Sequence, residues 1–181
     1  MAAANNACIR CGRVHDAVGA VLPRASLLVF ALALVAFVGI ARASDLPQKF
    51  DPSRDAAADV AYAVAQAGAQ GKRVIVDVGG EWCSWCHILD RFIAANTEVR
   101  ALVDAKYVWV KVNFSKENRN QALLARWPKI VGYPHLFVLD ANGHLLHSQD
   151  TGPLESGNGY DRTKFVAMLQ RWAQAASGIR I

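Results

Sequence analysis

The feature that most constrains this chain is a β-branched run that leads directly into two closely spaced cysteines. Residues 73–79 (RVIVDVG) are almost continuously apolar, which is typical of a strand buried in a parallel sheet. Cys83 and Cys86 follow in the sequence GEWCSWCH, and the apolar residues after them lie at helical spacing. The pair is therefore expected between a buried strand and an amphipathic helix, with Cys83 at the N-terminus of that helix.

The other elements are predicted from periodicity, caps and turn residues. They are a helix over 55–70 ended by Gly71, one or two helical turns starting near Asn96 or Thr97, a strand over 107–114, a short helix over 118–127, a hairpin over 135–148 that turns at DANG, a long Gly-rich loop over 150–161 and a helix over 161–176. A strand–helix–strand unit implies parallel pairing, and the hairpin adds an antiparallel edge. The expected fold class is α/β, with a small mixed sheet between helices on both faces.

Residues 1–43 carry the pattern of a secretory signal peptide with an extended n-region. Arg24 precedes the apolar run 27–40 (LLVFALALVAFVGI), which is followed by an Ala-Arg-Ala exit. An uncleaved anchor is the alternative, since the 17 residues between the flanking arginines are at the lower limit for crossing a bilayer. In both cases we expect residues 44–54 to form a lead-in and residues 55–181 to form one exported domain.

Charge and cysteine content limit the classes of protein to which the exported part can belong. The net charge is +5 for the whole chain and +2 without residues 1–43, so no basic stripe suggests nucleic acid as a partner. Without those residues only Cys83 and Cys86 remain, which excludes a scaffold built on several disulfides. The other pair, Cys8 and Cys11, precedes the export signal, and we expect it to lie before the true start or to be removed with that signal.

Four chemistries suit this cysteine pair, and the residues leave all of them open. A c-type haem would be attached at Cys83-Ser84-Trp85-Cys86-His87, but Met168, the one methionine of the exported part, falls on a predicted core face instead of offering a sixth ligand. A zinc site lacks a second C-x-x-C, and a permanent structural disulfide would need no further residues. A redox dithiol accounts for more of the sequence. The helix N-terminus favours the Cys83 thiolate, and Cys86 one turn later is placed to resolve its mixed disulfide.

Three segments, in this order along the chain, resemble the thioredoxin superfamily. VIVDVGGEWCSWCH resembles its strand and active-site segment, VKVN a neighbouring strand, and VGYPHLFVLDANGH its cis-proline loop and hairpin. The resemblance spans about 55–176 and implies a thioredoxin fold, a three-layer α/β/α arrangement. It implies that Asp77 is a buried carboxylate that accepts the Cys86 proton and that Lys111 pairs with Asp77. It also implies that Pro134 is cis, in a loop that lies against the dithiol and pairs with substrate backbone.

Simpler roles for the same residues remain open at this point. Asp77 would be an ordinary solvated carboxylate at a sheet edge, and Lys111 would be on the solvent side of its strand. Trp82, Trp85 and Tyr133 are expected to form an apolar docking surface beside an exposed thiol, although tryptophans here would also suit a core.

We therefore expect an exported, periplasmic thiol–disulfide oxidoreductase that reduces protein disulfides without a metal or organic cofactor. Its partners would be protein thiols and disulfides and a membrane protein that donates or accepts electrons, since the compartment is kept oxidising. The chain itself would be anchored to the inner membrane only if the N-terminal segment stays uncleaved. A binding module with a redox-idle disulfide is the second class, and a c-type haem protein is the third. Gly79, where many thioredoxins carry Trp, departs from the family pattern.

Overall fold

The computed structural model describes residues 45–173 of the chain. The elements are α1 (Ala56–Gln70), β1 (Arg73–Gly79), α2 (Ser84–Ala95), α3 (Thr97–Lys106), β2 (Tyr107–Asn113), α4 (Gln121–Leu124), β3 (His135–Leu139), β4 (Leu145–Asp150), a 3₁₀ turn (Gly152–Leu154), β5 (Glu155–Ser156), β6 (Gly159–Tyr160) and α5 (Arg162–Ala173). The predicted signal or anchor segment lies outside the described residues. Within the described part, no helix combines the length and apolar character that a membrane span requires.

A four-stranded mixed sheet with the order β2-β1-β3-β4 forms the centre of the fold. Strand β1 is parallel to β2 and antiparallel to β3, and β3 forms an antiparallel hairpin with β4. Helices α1 and α4 pack on one face of this sheet, and α2, α3 and α5 pack on the other. The predicted α/β fold with three layers, a parallel strand–helix–strand unit, an antiparallel hairpin and a C-terminal helix is confirmed.

Helix α1 begins and ends where its capping residues predict. The side chain of Asp55 accepts hydrogen bonds from the backbone N–H groups of Ala57 and Ala58, which lack partners within the helix. Gly71 ends the helix with a φ of 64°, a left-handed conformation that glycine adopts without steric cost. These two caps fix the ends of α1, and β1 begins two residues after Gly71.

Two predicted segments differ from the structure. The helix expected over 118–127 is reduced to the single turn α4, because the Asn118 and Asn120 side chains donate to the carbonyls of Pro52 and Asn113 and Asn120 adopts a left-handed φ of 47°. The segment 150–161, expected to be a long loop, folds into the 3₁₀ turn and the β5–β6 ribbon. This ribbon packs on α2 and α5 through Tyr160, and it therefore borders the cysteine pair.

Candidate active site

Cys83 and Cys86 form a disulfide at the N-terminus of α2. Their sulfur atoms are 2.15 Å apart. Cys83 is the N-cap residue of α2, and its sulfur accepts a hydrogen bond of 3.1 Å from the backbone N–H of Cys86. One backbone N–H of this helix end thus points at the sulfur that the sequence predicts to be the nucleophile.

Both sulfurs are covered by aromatic side chains in this disulfide form. Cys83 is only 4% exposed, and it forms one buried cluster with Cys86 and Phe50, against which Trp85 and Tyr133 pack. The expectation of an exposed thiol is therefore wrong for this form of the protein. Only a small part of Cys83 is therefore exposed to a partner in this form.

Asp77 and Lys111 form a buried ion pair. Asp77 on β1 is 1% exposed and Lys111 on β2 is 8% exposed, and the Lys111 ammonium lies 3.0 Å from Asp77 Oδ2. The solvated alternatives for both residues are wrong, because α2 and the ring of Phe50 cover this face of the sheet. The side chain of Asp77 lies on the same face of β1 as position 79, which borders Cys86 Sγ.

Asp90 is a member of this charge cluster that sequence reasoning missed. It lies on α2, and its Oδ1 accepts a hydrogen bond of 2.7 Å from the Lys111 ammonium. One signal was available in the sequence: Asp90 comes four residues after Cys86, so both lie on one side of the helix. The pairing itself joins residues 21 positions apart and depends on the tertiary fold.

Burial and the ion pair act in opposite directions on these groups. Burial raises the pKa of Asp77 above its usual range, although the Lys111 ammonium acts to lower it. Burial acts to lower the pKa of Lys111, but the carboxylates of Asp77 and Asp90 outweigh it and raise that pKa. Among the described residues, Asp77 Oδ1 has no hydrogen-bond partner. The cluster therefore places a carboxyl group whose proton affinity is raised by burial beside a charged lysine.

Trp82, Tyr133 and Pro134 form the rim of the site. The peptide bond between Tyr133 and Pro134 is cis, as predicted. Trp82 is 58% exposed, and its indole N–H donates to the Phe114 carbonyl at 2.7 Å. Its ring meets Tyr133 edge-to-face at 5.5 Å, and Tyr133 stacks on Phe114. Trp82 is thus presented to solvent on a rigid aromatic support.

Trp85 is less exposed than Trp82, and its predicted docking role stays a prediction. It is half-buried, and its ring packs edge-to-face on Tyr160 of the β5–β6 ribbon at a centroid distance of 5.6 Å. Sequence reasoning missed this contact because the ribbon was expected to be a loop. Trp85 therefore serves to join the ribbon to the cysteine pair, and Trp82 carries the exposed apolar surface.

A hollow of about 470 Å³ opens beside Trp82, between the lead-in and the end of β2. A second hollow of about 330 Å³ shares Phe114 and Arg119 with it and extends to Tyr133. The two hollows have apolar floors and lie directly next to the rim of the site. They offer space for side chains of a segment that approaches the disulfide.

Comparison with known proteins shows what this chain is similar to. Residues 55–141 match a family model described as thioredoxin-like. The thiol:disulfide interchange protein DsbD of Pseudomonas fluorescens is 29% identical over 119 residues, which are 65% of this chain and 18% of that protein. The disulfide bond reductase DsbH of Chlamydia pneumoniae is 30% identical over 76 residues, which are 38% of this chain and 45% of that protein. This chain thus spans under half the length of both relatives.

Solved structures show the same fold. A disulphide isomerase from Xylella fastidiosa Temecula1 superposes with a TM-score of 0.60 at 22% identity, covering 73% of this chain and all of that chain. The oxidised C-terminal domain of DsbD from Neisseria meningitidis superposes with a TM-score of 0.51 at 21% identity, covering 65% of this chain and 96% of that chain. The fold expected from three short segments is therefore confirmed over most of the described residues.

Proposed function

The chain belongs to the thioredoxin superfamily, and from that premise we propose that it is an exported thiol–disulfide oxidoreductase that reduces disulfides in other proteins. The observation that carries this proposal is the Cys83–Cys86 disulfide at the N-terminus of α2, on the sheet face that holds the Asp77–Lys111 pair. The names of the relatives, thiol:disulfide interchange protein and disulfide bond reductase, support the same chemistry.

The reaction begins with the reduced dithiol. The Cys83 thiolate attacks one sulfur of a substrate disulfide, so that a Cys83–substrate disulfide forms and the other substrate sulfur leaves as a thiolate. The helix N-terminus stabilises the attacking thiolate, because the backbone N–H of Cys86 donates to Cys83 Sγ and the helix dipole favours negative charge there.

Cys86 then resolves the mixed disulfide. Asp77, whose pKa is raised by burial, accepts the Cys86 proton. The Cys86 thiolate attacks Cys83 Sγ, the Cys83–Cys86 disulfide forms, and the second substrate sulfur leaves as a thiolate that takes up a proton. Two electrons have passed from the dithiol to the substrate, and the protein must be reduced again by a donor.

Substrate docking is proposed for the rim of the site. Trp82 offers exposed apolar surface, and the backbone of the loop at Tyr133 and Pro134 offers polar groups to an extended substrate segment. Lys111 acts indirectly, by holding the Asp77 carboxylate in place.

Export to the periplasm and a membrane electron donor complete the proposal. Both rest on the signal pattern of residues 1–43, with an anchor in the inner membrane as the alternative, and on the need for a reductant in an oxidising compartment. Protein thiols and disulfides are the other partners. We assign no metal or organic cofactor, because thiol exchange requires only the two sulfurs and a proton acceptor.

The test is an equilibrium redox titration of the full chain. Trypsin releases residues 74–91, a peptide that contains Cys83 and Cys86 and neither of the N-terminal cysteines, so thiol trapping and peptide mass report on this pair alone. A midpoint near about −270 mV is expected for a reductase, and a midpoint near about −120 mV would make the protein a disulfide donor. Absence of any reversible transition would overturn the oxidoreductase proposal.

A redox-idle binding module is the second candidate, and the burial of both sulfurs favours it. Cys83→Ser separates the two functions. An oxidoreductase loses exchange activity with this substitution, whereas a binding module keeps its affinity for the partner. The c-type haem alternative would instead attach a haem through thioethers at both sulfurs, and such a protein would show itself by colour.

A further inference from the structure

Gly79 leaves a space on β1 directly beside the disulfide. A Cβ atom at this position would overlap Cys86 Sγ and would lie 3.0 Å from Cζ of the Phe50 ring. The glycine is therefore required by the close approach of a sulfur atom and an aromatic ring. It follows that the wall of the site at this point comes from another part of the chain.

Phe50 of the lead-in provides that wall. It lies five residues before the matched thioredoxin-like region begins, yet it is 2% exposed and belongs to the same buried cluster as Cys83 and Cys86. The Cζ and Cε1 atoms of its ring lie close to the position that a Cβ atom of residue 79 would occupy. The lead-in is thus part of the active site and more than a connection to the N-terminal segment.

Two hydrogen bonds hold the lead-in in this position. The backbone N–H of Phe50 donates to Glu81 Oε1 at 3.0 Å, which ties the ring to the active-site segment. The side chain of Asn118 donates to the Pro52 carbonyl at 2.9 Å, which ties the lead-in to the segment after β2. Glu81 is thereby an anchor for Phe50, although it makes no contact with the sulfurs among the interactions described here.

The same ring contacts the charge cluster. The Lys111 ammonium lies 4.2 Å from the centroid of the Phe50 ring, a distance at which a cation is attracted to the π face. Phe50 therefore meets the cysteine pair and the Lys111 ammonium at once. Water that reached either of them from this side would have to displace the ring.

We infer that Phe50 is a positioning residue of the dithiol, which excludes water from Cys86 and from the Lys111–Asp77 pair and thereby sets the equilibrium between dithiol and disulfide. The inference rests on the proposed oxidoreductase function. Its chemical basis is that thiolates and carboxylates are stabilised by water, so a dry aromatic wall disfavours negative charge at this site. Removal of the ring should favour the reduced, partly charged dithiol.

The experiment equilibrates full-length wild-type protein, Phe50→Ala and Phe50→Leu with glutathione and reads the redox state of the peptide 74–91 by thiol trapping. We expect the equilibrium constant of Phe50→Ala to shift toward the dithiol by about threefold or more, and Phe50→Leu to shift less because it refills the apolar space. Leu46→Ala is the matched control, since Leu46 is a partly buried lead-in residue that packs on the other core cluster. It should leave the equilibrium unchanged.

An unshifted equilibrium in Phe50→Ala, with native circular dichroism, would overturn the inference. If that variant fails to fold, Glu81→Ala decides, because it releases the Phe50 backbone N–H and keeps the ring. A shift of the Glu81→Ala equilibrium toward the dithiol supports the inference. If Glu81→Gln restores the wild-type equilibrium, the shift is due to the lost hydrogen bond. If Glu81→Ala shows no shift, the inference is overturned. A wild-type protein without reversible exchange would instead overturn the proposed function, so the two failures are distinct.

Discussion

Asp77 and Lys111 are direct neighbours in the parallel β1–β2 pair, and their side chains form a buried ion pair 3.0 Å long beneath α2. Asp90 shares the same ammonium, so one lysine is held between two carboxylates. This arrangement keeps a titratable carboxyl group in a buried site, on the face of β1 that borders Cys86. Several properties of the protein can be derived from it.

Asp77→Asn should slow resolution of the mixed disulfide by about a hundredfold, because Cys86 loses its proton acceptor. The first attack by Cys83 should be affected far less. Rapid-quench trapping of the mixed disulfide with a model protein substrate measures both steps. Equal slowing of attack and resolution would contradict the role given to Asp77, and Asp90→Asn, which keeps Asp77, is the matched control.

The same substitution should change the pH dependence of stability. Because burial raises the pKa of Asp77, its contribution to stability is complete below the ordinary value of 3.8 and is lost as pH rises through the raised pKa. Asp77→Asn stays neutral, so its free energy of unfolding should match that of wild type near pH 3 and exceed it by on the order of 1–2 kcal/mol at pH 7. Urea unfolding at both pH values measures the difference. A difference that does not vary with pH would contradict this account.

Lys111→Met should destabilise the fold by about 2–4 kcal/mol at pH 7, because it leaves a buried carboxylate without its counter-ion. Thermal and urea unfolding measure the loss. Lys106→Met is the control, since Lys106 is exposed at the end of α3 and its replacement should cost at most about 0.5 kcal/mol. Equal effects of the two substitutions would show that the buried pair has no special contribution.

Cys86→Ser should trap a covalent complex with substrate, because the Cys83 mixed disulfide can no longer be resolved. Cys83→Ser should trap none. Non-reducing electrophoresis after incubation with a scrambled, disulfide-containing protein separates the outcomes. Trapping by Cys83→Ser and not by Cys86→Ser would reverse the assigned order of attack.

Trp82→Ala should raise KM for a protein disulfide substrate by about tenfold and leave the rate of exchange with glutathione nearly unchanged, because the exposed indole contributes docking surface and no chemistry. Trp172→Ala is the matched aromatic control, since that ring stacks on His147 at a distance from the disulfide. If Trp82→Ala slowed both reactions equally, Trp82 would instead support the site structurally.

Local pattern was sufficient for the elements that carry the cysteines. The strand at 73–79 was predicted with its observed bounds, because a short continuous β-branched run that follows a helix-ending glycine is typical of a buried strand. The helix after Cys83 followed from apolar spacing alone. The helix prediction at 118–127 failed over its first turn, because Asn118 Oδ1 accepts a hydrogen bond from the Asn120 N–H and Asn120 adopts a left-handed φ.

The sequence by itself determined the fold, the position of the cysteine pair at a helix N-terminus and the candidate proton acceptor, since periodicity and a distinctive order of segments encode these. Only the tertiary structure decided which face of β2 is covered, and so whether Lys111 meets water or Asp77. It also brought two further residues to the site. Phe50 is 33 residues before Cys83 in the sequence, and Asp90 is four residues after Cys86. Alternation along a strand says that neighbouring side chains point to opposite faces, but what packs on each face depends on residues distant in the chain.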